Sequence, residues 1–345
     1  FDDGLRINGN RYAVLPAVGA AWVISSEPFM RNLNRVDLLK LRMSYGLVGN
    51  DDVGNYTARK YYISQNLFGM RGVITGNYAN PNLQWETVRK FNLGVDGSFF
   101  SERLSISIDY WRNSTKDMLT YQLVNSVGGT ASYLNNNGSM NTQGADLALN
   151  GRILNKTFKW DAGLTIGTST NKVSNLPGGN SVITSYAGGT YITSEGKSAN
   201  QFYGLRTNGV YATNAEAAEA GLSVRNSQGA LVPFTGGDVR FIDTNGDKII
   251  DDNDRTVIGN PNSYFFGSMN NTFTYKNWSM DALITFVGGN DIYNYTRAQL
   301  ESGSTYYNQT QNINNRWKGN GQVTDVPKAT YGDPMGNAKF SDRWI

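Results

Sequence analysis

The sequence predicts an all-β fold: about eight strands of a transmembrane antiparallel β-barrel, joined on one side by long extracellular loops. Three observations predict this fold. The 345 residues include 39 Gly and 20 Tyr but no Cys and no His, a composition that suits strands and polar loops better than packed helices. No run of about 18 or more apolar residues exists, so no transmembrane helix is expected. Finally, apolar and polar residues alternate in segments of about 9 to 13 residues, the length of a tilted strand that crosses a bilayer.

The stretch LSISIDYWRN, residues 104–113, shows the alternation most clearly. One face is apolar and the other mostly polar, as a strand between lipid and a wet lumen requires. A soluble β-sandwich alternates too, but the repeated Lys, Arg, Asp, Asn, Ser and Thr on the second face favour the barrel. The register predicts that three side chains point to lipid (Leu104, Ile106, Ile108) and three to the lumen (Ser105, Ser107, Asp109).

Eight segments follow this pattern, and together they could close a small barrel. The outer loops are too large for so narrow a mouth, which favours a segment of a larger barrel. Further strands are then expected against its two edges, near residues 12–24 and 281–287, because bilayers do not tolerate unpaired strand edges. The predicted strands are residues 12–24, 37–48, 85–97, 103–115, 140–151, 157–170, 263–275 and 278–288.

The connections between these strands alternate between short and long. Strands at 85–97 and 103–115 are joined by a short turn, and only Lys276 and Asn277 separate the last two strands. Outer-membrane barrels place short turns on the periplasmic side and long loops outside. We therefore expect residues 1–345 to be part of one transmembrane barrel domain, with residues 171–262 as a long extracellular insertion.

Within that insertion, DTNGDKIIDDND (residues 243–254) has the spacing of a calcium loop. Lys248 occupies the sixth position, where Gly usually makes the turn, and Asp254 replaces the bidentate Glu. The following RTVIGNPNSYFF reads as loop and strand, so an EF-hand is not expected. The loop is either a divalent-cation site or a solvated turn capped by its own side chains. The predicted Ca²⁺ ligands are Asp243, Asn245, Asp247, Asp251 and Asp254, with the backbone carbonyl of Ile249.

Composition and charge exclude several classes of function. Without Cys and His the chain has no disulfides, no thiol chemistry and no His-based triad or proton shuttle, so we expect no catalysis. The formal net charge of +3 is too small to indicate a nucleic-acid partner.

Aromatic residues suggest two further roles. Those near strand ends are typical of the girdles that anchor a barrel at the membrane interfaces: Trp22, Tyr45, Tyr110, Trp160, Tyr275 and Trp278. In YYNQTQNINNRW, the aromatic residues among the amides could stack on sugar rings, cover a peptide or simply pack loops together. These weak substrate-binding candidates are Tyr306, Tyr307 and Trp317. A short N-capped helix is expected in residues 214–222.

Several blocks in combination resemble the SusC/RagA group of TonB-dependent outer-membrane transporters. They are PAVGAAWVISSEPF from Pro16, LKLRMSYG from Leu39, and DTNGDKIIDDNDRTVIGNP from Asp243. The chain departs from the family pattern at Lys248 and at Asn262–Ser263, where a second Asn-Pro pair is usual.

This resemblance implies a 22-stranded barrel, an N-terminal plug, a TonB-contacting segment and a SusD-like surface lipoprotein that closes the extracellular mouth. The plug and the TonB-contacting segment are not expected within these 345 residues. The implied function is TonB-dependent import of a large nutrient, either a glycan or an oligopeptide, across the outer membrane. The alternative is a surface scaffold or adhesin that the barrel only anchors.

Overall fold

A computed structural model describes residues 14–50, 57–123, 132–179 and 181–345. Eighteen strands and two α-helices lie in these ranges. In chain order the strands are β1 (Ala17–Val23), β2 (Val36–Asn50), β3 (Tyr61–Leu67), β4 (Met70–Asn77), β5 (Glu86–Phe99), β6 (Leu104–Leu123), β7 (Ser132–Asn155), β8 (Phe158–Asn175), β9 (Val182–Tyr186), β10 (Gly189–Thr193), β11 (Gln201–Gly204), β12 (Thr207–Val210), β13 (Ser223–Arg225), β14 (Leu231–Pro233), β15 (Val239–Phe241), β16 (Thr256–Gly259), β17 (Phe265–Tyr275) and β18 (Trp278–Gly288). The helices are α1 (Asn214–Ala220) and α2 (Tyr295–Leu300), and short 3₁₀ turns span Ile24–Ser26, Pro28–Met30, Pro177–Gly179, Asp252–Asp254, Gln311–Asn315 and Asp342–Trp344.

The eight predicted strands form one antiparallel sheet in the order β1-β2-β5-β6-β7-β8-β17-β18. The all-β prediction is confirmed, although residues 12 and 13 of the first predicted strand lie outside the described residues. Strands β6 and β7 reach much further than expected and pair with each other to Leu123 and Ser132. The connection between the predicted strands 103–115 and 140–151 is therefore shorter than their bounds implied. This extension has polar residues on both faces, and its pairing register shifts near Met118. It therefore lacks the regular apolar and polar alternation that predicts a strand.

The pairing register across the sheet assigns its residues to two different faces. One row runs from β1 to β18 through aligned residues that are apolar or Gly: Trp22, Leu41, Val95, Ile108, Leu147, Ile166, Gly267 and Phe286. The adjacent row, on the opposite face, is mainly polar from β2 onward: Lys40, Asp96, Ser107, Ala148, Thr165, Ser268 and Thr285. Because alternate residues of a strand point to opposite faces, the six predicted girdle aromatics all lie on the apolar face.

The polar face carries an ion-pair network across neighbouring strands. Arg42 on β2 donates to both carboxylate oxygens of Asp96 on β5, at 2.7 and 2.9 Å, and to Asp109 on β6 at 3.0 Å. Ser107 donates to Asp96 at 2.9 Å. Gly94 lies between these side chains, and a Cβ there would be 2.8 Å from Cζ of Arg42. The absence of a side chain at Gly94 thus makes room for the guanidinium to bridge three strands.

The described residues divide into two compact units. The first contains the eight-stranded sheet and the β3–β4 hairpin, and the second comprises residues 182–193, 200–262 and 290–345. The second unit holds a four-stranded sheet, β16-β11-β10-β9, and the ribbons β12–β15 and β13–β14. Its helix α1 begins after Thr213, whose side chain accepts from the Glu216 amide, and ends at Gly221 in a left-handed conformation, as capped helices commonly do. Its buried core contains Leu205, Tyr211, Ala217, Leu222, Val224, Phe234, Val239, Phe241, Ile250 and Met335.

Among the described residues, no helix combines the length and the apolar character needed to cross a membrane.

The division into faces predicts the effect of a charge at Ile106, which is aligned with Leu149 on the apolar face. Ile106→Arg should destabilise the full-length protein in bilayers by up to roughly 2 to 4 kcal/mol, the cost of a lipid-facing Arg at the midplane. Urea unfolding in lipid vesicles measures this cost. Ser105→Arg, one residue away on the polar face, is the matched control and should cost much less. Equal destabilisation by both substitutions would show that the faces are assigned wrongly.

Candidate functional site

The acidic loop at residues 243–254 is closed by hydrogen bonds from its own backbone. Asp243 accepts from the amides of Gly246 and Lys248 at 2.7 and 3.0 Å, and Asp247 accepts from Ile249 at 2.8 Å. Asn245 accepts from the amide of Asp247 at 3.0 Å. These bonds curl the segment so that its first, third and fifth side chains line one tight turn.

Lys248 adopts the backbone conformation that the sixth loop position requires. Its φ is 64°, in the left-handed region that normally favours Gly. Its ammonium group donates to the carbonyl of Ala220, at the end of α1, at 3.3 Å. The turn therefore accommodates the departure from the family pattern, at the cost of a strained residue.

Asp254 closes the other end of the loop. It is fully buried and accepts from the amides of Thr244 at 2.8 Å and Asp251 at 2.9 Å. Asp251 in turn accepts from the amide of Asn253 at 2.7 Å. Within the described ranges, no group of three or more Asp, Glu, His or Cys side chains converges in the way a metal site requires. A carboxylate oxygen that accepts one hydrogen bond keeps a second lone pair that can bind a metal ion, so the hydrogen bonds within the loop do not exclude calcium. The calcium site stays a prediction.

The three aromatic candidates differ in their surroundings. Trp317 donates from Nε1 to the carbonyl of Ala212 at 2.9 Å. Its ring covers Gly236 and Gly237, where a Cβ would come within 2.9 and 2.5 Å of the ring atoms. Trp317 thus packs loops together, and its role in substrate binding stays a prediction.

Tyr306 and Tyr307 are, by contrast, strongly exposed, at 86% and 83%. The Tyr306 ring stacks on Tyr331, which is itself 68% exposed, with centroids 4.4 Å apart and an interplanar angle of 26°. Sequence reasoning missed Tyr331, because it is 25 residues away in the chain and no local pattern links it to Tyr306. The pair presents an aromatic surface to solvent.

A buried carboxylate holds the loop that carries these tyrosines. Glu301, at the end of α2, accepts from Arg297 Nε at 3.1 Å, Thr310 Oγ1 at 3.1 Å and Asn312 Nδ2 at 3.0 Å. Burial alone would raise the pKa of Glu301, but the hydrogen bonds from Asn312, Arg297 and Thr310 outweigh it, so the pKa is lowered. The loop is therefore tied at both ends to one charged group.

An amide-lined cleft of about 420 Å³ follows Tyr307. Asn308, Gln311 and Asn314 line it together with Arg316 and Ile313. Planar amides both donate and accept hydrogen bonds, so this cleft can bind hydroxyl groups or peptide groups.

Comparisons with known proteins show which family has this sheet. Residues 2–215 match the family described as TonB dependent receptor-like, beta-barrel. The chain belongs to this family. This TonB-dependent receptor chain is 32% identical over 331 residues to the TonB-dependent receptor P3 of Formosa agariphila, covering 92% of this chain and 32% of that protein. It is 24% identical over 319 residues to the TonB-dependent receptor SusC of Bacteroides thetaiotaomicron, covering 87% and 30% of the two chains.

Solved structures of the RagAB system are also similar to this chain. The RagAB peptide importer in its open-open state superposes with a TM-score of 0.75 at 26% identity, covering 93% of this chain and 34% of that one. The RagAB peptide transporter gives a TM-score of 0.70 at 25% identity, with coverage of 91% and 34%. The resemblance to the SusC/RagA group is confirmed, and the chain spans about a third of the length of these relatives.

The ionised Glu301 should make the tyrosine loop, defined as residues 302–312 with Tyr306 and Tyr307, sensitive to acid. A carboxyl group whose pKa is lowered by folding stabilises the folded loop above its usual value of 4.5. This contribution is lost as the pH falls through the lowered pKa. Hydrogen exchange of residues 302–312, corrected for intrinsic rates, should therefore accelerate in acid. Glu301→Gln should abolish this pH dependence, whereas Glu219→Gln, at an exposed position on α1, should preserve it. An unchanged pH profile in Glu301→Gln would contradict the assignment.

Proposed function

We propose that this chain forms part of the barrel and the extracellular loops of a TonB-dependent importer in the bacterial outer membrane. The proposal rests on the family match over residues 2–215 together with the eight-stranded sheet, which has one apolar and one polar face. An apolar outer face and a polar lumen are what a transport barrel needs in lipid. We propose no catalytic role for the chain, because it contains no His or Cys that could serve as a general base or thiol nucleophile.

The transported nutrient is too large for ordinary porins and is an oligosaccharide or an oligopeptide. The printed description of RagAB as a peptide importer supports the oligopeptide class, and the oligosaccharide class comes from the resemblance to the SusC/RagA group. A SusD-like lipoprotein closes the extracellular mouth. The TonB complex supplies energy through a region of the longer protein, and other strands and a plug complete the barrel in the outer-membrane lipid.

The test is nutrient uptake by cells that express the full-length protein as their only receptor of this type. Accumulation of labelled oligosaccharides or oligopeptides should stop when TonB is deleted or when a proton ionophore collapses the inner-membrane gradient. The double variant Tyr306→Ala, Tyr331→Ala should raise the uptake KM several-fold if the aromatic pair contacts the nutrient. Tyr121→Ala, a 69% exposed residue on β6, is the control. Surface adhesion that persists without any TonB-dependent uptake would favour the scaffold alternative.

We also propose that Asp243, Asn245, Asp247, Asp251 and Asp254, with the carbonyl of Ile249, bind one structural Ca²⁺. The four carboxylates among these ligands lie within twelve residues and repel one another, and a divalent cation with oxygen ligands relieves that repulsion. Lys248 adds a positive charge to the turn, so the affinity should be modest, with a Kd on the order of 10⁻⁴ to 10⁻³ M. The ion would stiffen the loop and not act as a switch.

Calorimetric titration of Ca²⁺ into chelator-treated full-length protein measures this affinity. The variant Asp243→Ala, Asp247→Ala should lose the binding heat. Asp252→Ala should keep it, because the Asp252 side chain is 83% exposed, pairs with Arg255 and does not occupy a ligand position. Equal heats from the wild-type protein and the double variant would leave the loop as an acidic turn without calcium.

A further inference from the structure

One buried carboxylate in the second unit holds a lysine and an asparagine side by side. Asp238 is fully buried, and Asn337 is only 4% exposed. The ammonium group of Lys328 donates to Oδ2 of Asp238 at 2.9 Å. The side-chain amide nitrogen of Asn337 donates to Oδ1 of the same carboxylate at 3.0 Å. An amine and a carboxamide therefore occupy the two oxygens of one carboxylate.

The carboxamide of Asn337 is also held through its oxygen. Its Oδ1 accepts a hydrogen bond from the backbone N–H of Val239 at 2.8 Å. Both residues are buried, so water does not compete for this bond. A backbone N–H in this position stabilises the negative charge that develops on a carbonyl oxygen when a nucleophile attacks the carbon. The Val239 N–H therefore serves as an oxyanion donor for a reaction at Asn337.

Lys328 is fixed at both its backbone and its ammonium group. Its backbone N–H donates to the carbonyl of Gly237 at 2.8 Å, and its ammonium group also donates to Oγ1 of Thr235 at 2.6 Å. Gly237 has a φ of 85°, and a Cβ there would lie 3.1 Å from Cβ of Lys328 and 2.5 Å from the Trp317 ring. The glycine thus lets the two backbones approach and directs the lysine side chain to Asp238.

We propose that Lys328 and Asn337 join in an intramolecular isopeptide bond, with Asp238 as the acid–base catalyst. Asp238 takes a proton from the Lys328 ammonium group, and the free amine attacks Cγ of Asn337. The bond from Cγ to the lysine nitrogen forms and the bond from Cγ to Nδ2 breaks. Asp238 passes the protons that the lysine nitrogen gives up to the departing nitrogen. The net reaction converts one ammonium group and one carboxamide into a secondary amide and a free ammonium ion, so atoms and charge balance without any oxidant.

Fixed positions are what such a reaction needs, because amines displace ammonia from amides very slowly in water. Groups that a fold holds in the right orientation react with effective molarities up to about 10⁵ to 10⁸ M. The bond would close residues 328–337 into a covalent ring, a constraint that this chain cannot obtain from a disulfide because it has no Cys. The ring contains Tyr331, so it would fix one partner of the exposed Tyr306–Tyr331 stack.

The first experiment is a tryptic peptide map of the full-length protein by mass spectrometry. Trypsin cleaves after a free Lys328 and releases residues 319–328 and 329–339 as two peptides. It does not cleave after an amidated lysine, so the cross-linked protein should give one peptide, residues 319–339, lighter by one ammonia than the same peptide with a missed cleavage. Recovery of the two short peptides in full yield would overturn the proposal. So would loss of ammonia with normal cleavage after Lys328, which indicates a succinimide at Asn337.

Protein variants assign the roles. Lys328→Arg keeps the positive charge but removes the nucleophilic amine, so the loss of ammonia should disappear. Asp238→Asn removes the proton acceptor with little change of shape, and the cross-linked fraction should fall at least about tenfold. Lys339→Arg, at a nearby lysine outside the cluster, is the matched control and should remain cross-linked.

A wild-type level of cross-link in Asp238→Asn would contradict the catalytic role of Asp238. Loss of ammonia that persists in Lys328→Arg would place the modification elsewhere in the chain and overturn the proposal. Because the map of the wild-type protein alone decides whether the bond exists, the failure of a variant to fold does not protect the proposal.

Discussion

Backbone pairing is the constraint on which the rest of this structure depends. Inside a bilayer no water is available to unpaired N–H and C=O groups, so each must find a partner within the protein. The eight-stranded sheet meets this demand by pairing each strand with its sequence neighbours in an antiparallel ladder, interrupted only where the loops intervene. Its long strands, up to 24 residues in β7, follow from the same demand, because each must cross the membrane and support the loops beyond it.

Once the ladder is in register, every side chain is assigned to a face. The apolar row through Leu41, Ile108 and Ile166 and the polar row through Asp96 and Ser107 are consequences of that register. A slip of one residue would put Asp96 and its partners among apolar side chains, which costs far more than the ion pairs contribute. The guanidinium network on the polar face thus works together with hydrophobic burial to keep strands aligned.

The second unit is stabilised in a different way. Its strands are three to five residues long, and its stability comes from a buried core around Tyr211, Phe234 and Phe241 and from charged groups tied to several loops. Asp238, fully buried, accepts from Lys328 at 2.9 Å and Asn337 at 3.0 Å. Glu301 does the same for the tyrosine loop. Such carboxylates replace long regular elements as the means of fixing loop conformation.

The sequence by itself determined the parts that rest on local periodicity. Alternation in LSISIDYWRN and its counterparts established eight strands, their faces and the all-β class, because a strand's side chains repeat every two residues whatever lies next to it. The spacing of the acidic loop likewise predicted a tight turn at residues 243–254. Only the tertiary structure decided three other features: that β6 and β7 extend as a ribbon, that Tyr306 stacks on Tyr331, and that Trp317 packs on Gly236 and Gly237. The two aromatic contacts join positions that are far apart in the chain, so no local pattern carries information about them. The β6–β7 extension is polar on both faces, so it lacks the alternation that predicts a strand.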